Sequence, residues 1–81
     1  MSVDARVLAV LVARRSRIRR AELGMTQGDL AARMGWEREH VSRLERAKHK
    51  PSLRTLIALA TALRTSVDWL AAPPTVAAPA A

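Results

Sequence analysis

The chain has 81 residues, with 14 lysines and arginines against seven aspartates and glutamates, a formal net charge of +7 and a pI near 11.7. That length supports one small domain with a short helical core, and the positive excess points to a polyanionic partner. The absence of cysteine excludes a disulfide framework and a thiolate metal site. With two histidines nine residues apart, His40 and His49, no metal centre is predicted, and neither a cofactor nor a small-molecule ligand is expected.

Residues 1–6 form a polar start in which Ser2 or Asp4 can cap a helix. Residues 7–13, VLAVLVA, are wholly apolar. Seven residues are too few to span a bilayer, which takes about 20. In a secretory signal basic residues precede the apolar run, whereas here five arginines follow it within seven residues. The run is therefore read as the front of a first helix, with no membrane association and a cytoplasmic location expected. A helix apolar all round needs cover, either from the last helix or from a second subunit; a fraying N-terminal extension is the alternative. Residues 14–20, RRSRIRR, carry five of the 14 basic side chains. They read either as a solvated basic face or as a strip in which some arginines bind phosphate. Leu23, Gly24 and Met25 close this helix.

The organising stretch is 26–46, TQGDLAARMGWEREHVSRLER, which predicts two short helices around a tight turn. Thr26 caps the first, with Asp29 three residues on as the acidic form of a capping box. Leu30, Ala31 and Met34 share one face. Gly35 stops the helix because glycine takes the left-handed conformation cheaply. Helix resumes near Glu37 or Arg38 and runs to about Arg46. Val41 and Leu44 point to a core, while Glu39, Ser42, Arg43 and Arg46 lie opposite, with Arg38 and His40 on the borders. Such a face has an ordinary reading as solvated surface.

After Arg46, the residues Lys48, His49, Lys50 and Arg54 gather around Pro51. Ser52 caps a fourth helix in which Leu53, Leu56, Ile57, Leu59, Ala60 and Leu63 form an apolar stripe read as core, with Arg54, Ala58 and Thr61 facing away. Ser66 caps a last short helix, VDWLAA. Residues 73–81, PPTVAAPAA, carry no charged side chain and are read as a disordered tail behind a domain of residues 1–72.

The segment QGDLAARMGWEREHVSRLERAKHKPSLRTLIALATAL resembles the helix-turn-helix domain of the phage-repressor, Cro and xenobiotic-response-element type. Gln27, Leu30, Ala31, Gly35, Ser42, Glu45, Pro51, Ser52, Thr55 and Leu56 carry the resemblance. It implies an all-α, five-helix, lambda-repressor-like fold. It also implies that the third helix reads double-stranded DNA, with Arg38, Glu39, His40 and Arg43 at base edges and Gln27, Ser42, Arg46, Lys48, Lys50 and Arg54 on phosphates. An arginine at Arg20 pairs with Glu45 in such proteins, tying the first helix to the third; Arg19 is the alternative partner. Val67, Trp69 and Leu70 fall where such proteins often make a dimer contact, although Trp69 reads equally as core. Three departures stand out. Glu37 occupies the usual Ser, Thr or Asp cap, Arg64 replaces the glycine that usually ends the fourth helix, and Ala47 occupies the usual glycine after the glutamate, so that either Ala47 is left-handed or the helix runs on.

Arginine grips guanine O6 and N7 with two bonds, and glutamate accepts from the cytosine amine, so a G·C-containing half-site is expected. The resulting expectation is a small transcriptional regulator, a repressor binding a roughly palindromic operator as a homodimer. The alternative is an antitoxin or other protein-interaction module of the same fold, using residues 7–13 and the tail against a protein partner. An enzyme is not expected: no nucleophile–base pair, metal cluster or phosphate-cradling glycine loop is visible.

Overall fold

A short polar side chain sits immediately before four of the five helices and accepts a backbone N–H that the helix itself leaves free. The structure is a computed structural model and describes residues 4–73. Asp4 accepts from the Arg6 N–H at 2.7 Å and opens α1, Ala5–Glu22. Thr26 and Asp29 form a reciprocal capping box, at 3.0 and 2.9 Å, at the head of α2, Gln27–Met34. Bonds from the Thr26 backbone N–H and then its side chain hold the Asp29 carboxyl below its usual pKa. The cap is thus complete at neutral pH and is lost as pH falls through that lowered value. Ser52 and Ser66 cap α4, Leu53–Ala62, and α5, Val67–Leu70. The exception is α3, Arg38–Glu45, where Glu37 holds the cap position without a side-chain bond. The described residues are all-helical, with five helices and no strand.

The core gathers one stripe from each helix: Val12 of α1, Leu30 of α2, Val41 and Leu44 of α3, Leu59 of α4, Leu63 just after it and Leu70 of α5 are all at most 1% exposed. α2 packs on α3 and α4, α1 on α3 and α5, and α4 on α5. In the 7–13 run only Ala9, Val12 and Ala13 are buried, partly beneath α5; Val7 and Val10 are 50% and 57% exposed.

Two apolar assignments are corrected by the packing. Leu53 and Ile57 are exposed, and the buried arc of α4 takes in Ala62 instead. At about 100° per residue the arc centres on Leu59 and Leu63, leaving Leu53 and Ile57 at and beyond its edge. Leu70 is completely buried, so it closes the core and offers no surface to a second subunit. Val67 and Trp69 are half-buried against that core. Beyond Pro73, the tail assignment falls outside the described residues.

The two positions where a side chain replaces an expected glycine are left-handed: Ala47 at φ 59° and Arg64 at φ 55°. Glycine relieves the roughly 1–2 kcal/mol steric cost of such a residue but loses about 0.5–1 kcal/mol in chain entropy. Ala47→Gly is therefore expected to raise stability slightly, by up to about 1 kcal/mol, as read by thermal unfolding. A clear loss of stability would mean that the Ala47 methyl makes a packing contribution larger than this strain.

Candidate nucleic-acid interface

The side chain that fixes α3 is Glu45, an acid only 2% exposed at the helix's inner end. A buried carboxylate persists only if its oxygens are satisfied, and these are. Arg20 of α1 donates from Nη2 to Oε1 at 2.9 Å and from Nε to Oε2 at 3.0 Å. The fully buried Ser16 hydroxyl donates to Oε2 at 2.8 Å, and the Gln27 amide donates to Oε1 at 3.2 Å. The Gln27 carbonyl oxygen in turn accepts from Arg38 Nη1 at 3.4 Å. One chain of bonds therefore runs from α1 through Glu45 and Gln27 to the first residue of α3. Gln27 thus braces the outer helix and stands at the N-terminus of α2, a position whose partial positive charge suits a phosphate.

Arg20, rather than Arg19, meets Glu45. Arg19 instead donates to the Leu63 and Arg64 carbonyls at 2.9 and 3.1 Å. Arg17 donates to the Glu45 carbonyl, and Arg33 of α2 donates to the Ala62 carbonyl at 3.0 Å. Arg15 lies over the Trp69 ring, 4.7 Å from its centroid, and reaches the Pro73 carbonyl at 3.4 Å. These contacts narrow the reading of residues 14–20 as a strip in which some arginines bind phosphate. Four of its five arginines satisfy carbonyls or the buried acid, where cations at helix C-termini are electrostatically favoured, and among the described residues only Arg14 is left without such a partner.

The outer face of α3 is different. Arg38, Glu39 and Arg43 are exposed, with Ser42 and His40 half-buried beside them. Arg43 makes no ion pair among the described residues; neither do Lys48, Lys50 and Arg54 beyond the helix. Arg46 pairs with Glu39 at 3.3 Å, but both side chains are more than half exposed, so the pair holds neither one firmly. Glu37, Glu39, His40 and Arg43 line an open depression.

One feature of this face is only partly signalled in the sequence. Trp36 stacks on His40 with ring centroids 3.8 Å apart and planes 10° from parallel. His49, from the loop after α3, meets His40 edge-on at 5.0 Å and Trp36 at 5.9 Å. The four-residue step from Trp36 to His40 hints at the first contact, but His49 arrives across a loop whose path depends on left-handed Ala47. Burial, then His40, then Arg43 lower the pKa of His49. Among the described residues no three potential ligands gather for a metal ion, and no helix is long and apolar enough to cross a membrane.

Two helices packed at a glycine turn, the second locked from behind by a buried ion pair and open in front, define a helix-turn-helix protein of the lambda-repressor type. The chain belongs to the helix-turn-helix family, whose pattern matches residues 17–70. Uncharacterised helix-turn-helix-type transcriptional regulators from Archaeoglobus fulgidus and Sinorhizobium fredii are each 41% identical over 58 residues. These matches cover 69% and 72% of this chain and 83% and 74% of theirs. Among solved structures, a hypothetical transcription factor from Neisseria superposes with a TM-score of 0.81 at 29% identity, over 93% of this chain and 86% of that one. The restriction–modification controller protein C.AhdI from Aeromonas hydrophila gives 0.71 at 34% identity, over 76% and 94%. The P22 c2 repressor, solved with a synthetic operator, gives 0.67 at 34% identity, over 73% and 89%.

Proposed function

We propose that the chain is a sequence-specific, double-stranded DNA-binding transcriptional regulator, a repressor that occupies a palindromic operator as a homodimer. The observation that carries this reading is the contrast between the two sides of α3. Its inner end is fixed by Arg20, Ser16 and Gln27 on Glu45, while its outer side offers Arg38, Glu39, His40 and Arg43. A reading head must be rigid, because base-edge bonds discriminate only when donors and acceptors are already in place. Gln27, Ser42, Arg46, Lys48, Lys50 and Arg54 flank that head and are assigned to phosphates. The likeness to a repressor solved on an operator supports the same role here. Such a regulator works on the genome, in the cytoplasm, and needs no cofactor.

Self-association follows from the operator geometry, in which half-sites lie one helical turn apart and mirror the protein's two-fold symmetry. Val67 and Trp69 remain the assigned contacts. The exposed Leu53 and Ile57 lie on α4, the helix against which α5 packs. The second reading, an interaction module working mainly on a protein partner, is favoured by the exposure of Val7 and Val10.

The loop cations give a direct test. Each lysine that neutralises a phosphate releases counterions, so Lys50→Ala is expected to weaken binding to all duplexes about equally. It should also reduce the slope of log affinity against log salt by about 1. Fluorescence anisotropy across a salt series reads both. A slope unchanged in Lys50→Ala and also in Lys48→Ala would put the loop off the DNA, and sedimentation of the complex gives the stoichiometry.

A further inference from the structure

The cluster at the edge of the reading face has a property beyond shape. Its two imidazoles lie 5.0 Å apart, and one is stacked on an indole. The stack on Trp36 sets the plane of the His40 ring. Burial, then His40, then Arg43 oppose a charge on His49. Two imidazolium groups at this separation would repel.

The remaining charges around the pair are few. Glu37 and Glu39 line the same depression as His40 and Arg43, and Glu39 pairs only loosely with Arg46. Lys48 and Lys50 flank His49 in the chain. From α2, Arg33 turns away to the Ala62 carbonyl. The positive groups therefore outnumber the acids, and a charge on His49 is disfavoured until an anion arrives. A phosphodiester backbone beside α3 reverses the balance, because phosphates within a Debye length favour the charged imidazole.

We propose that Trp36, His40 and His49 form a proton-linked, specificity-determining contact: duplex DNA seated on α3 draws one solvent proton onto the imidazole pair, while Trp36 and His49 hold the plane in which His40 meets its base edge. The inference rests on the DNA-binding reading above. An imidazolium donates from both ring nitrogens, whereas the neutral ring donates from one and accepts at the other. The protonated form therefore selects the acceptor edge of guanine, N7 and O6, over the amine of cytosine. Trp36 and His49 act through His40 and are positioning residues.

The sign follows from linkage. If the bound state holds more protons than the free state, affinity rises as pH falls through the window between the free-state and bound-state pKa values. One proton limits the rise to about tenfold per pH unit. The free-state value for His49 is lowered from the usual 6.5, so the window opens below neutrality and reaches toward it as DNA raises the value.

The test uses the full chain and a duplex selected from random sequence, titrated between about pH 5.5 and 8, where histidine changes charge, at constant ionic strength. Calorimetry in buffers of different ionisation enthalpy counts the protons. The expected result is an affinity that rises as pH falls, approaching tenfold per unit at its steepest, and a slope that is flat in the double variant His40→Gln, His49→Gln. Trp36→Leu is expected to relax selectivity at one base pair and shift the pH profile. Trp36→Phe, which keeps an aromatic face, restores both and controls for a change in folding. A sequence-specific complex with no pH slope overturns the inference and leaves the DNA reading standing. A slope that survives in the double variant overturns it as well, by placing the proton elsewhere. No sequence-specific complex at any pH overturns both readings.

Discussion

Glu45→Ala is expected to destabilise the domain by about 3–5 kcal/mol, the cost of removing one partner from a buried, hydrogen-bonded ion pair. The carboxylate is 2% exposed and accepts from Arg20, Ser16 and Gln27. Its loss leaves a guanidinium whose side chain is 19% exposed without a counter-charge, and a fully buried hydroxyl without its acceptor. A small domain has about 5–15 kcal/mol of stability in all, so a large share of the margin would go. At roughly 4–8 °C per kcal/mol for a domain of this size, the melting temperature should fall by well over 10 °C. Glu45→Gln keeps the shape but removes the charge, and is expected to recover only part of the loss. Chemical denaturation of the three proteins decides the matter, and a loss below about 1 kcal/mol, the size of an exposed pair, would mean that the network does not hold α3.

Arg43→Ala is expected to leave the unfolding midpoint unchanged and to lower affinity for the preferred duplex by roughly five- to 150-fold. That corresponds to the ~1–3 kcal/mol of one good base contact. Arg43 is exposed and makes no ion pair among the described residues, so the fold does not depend on it. The loss should be confined to duplexes carrying the preferred base pair at one position, with little change on duplexes already altered there. Competition titrations over single-base variants of the site check this. Equal losses on every duplex would reassign Arg43 to a phosphate.

The contrast between these two residues shows what the sequence makes legible. Capping is local chemistry, so Asp4, Thr26 with Asp29, Ser52 and Ser66 announce their helices from the residues that follow them. The two left-handed positions, Ala47 and Arg64, were visible only as places where the resemblance leads one to expect glycine. The pairing of Arg20 with Glu45 likewise came from the resemblance. Ser16, four residues before Arg20 on the same stripe as Val12, had a periodic signal that the surrounding arginines obscured.

The fate of the basic run could not be read. An arginine that satisfies a helix-end carbonyl and one that reaches solvent look identical in a row such as RRSRIRR, because the difference lies in distant helix ends such as Leu63 and Ala62. The stripe of α4 failed at its margin for a similar reason. Leu53 and Ile57 keep the helical period, but the width of the buried arc is set by how α2 and α5 sit against it. Leu70 is apolar either as core or as contact, and only its complete burial separates the two. His49 joins Trp36 and His40 through a loop, where periodicity has no meaning.

The most direct measurement is selection of bound sites from random duplex DNA at about 150 mM salt, the physiological level, followed by sequencing of the bound pool. The proposed function predicts an enriched inverted repeat with half-site centres about one helical turn apart and G·C pairs opposite Arg38, Glu39 and Arg43. A folded protein that enriches no sequence would contradict it, leaving the positive charge as the source of non-specific binding alone.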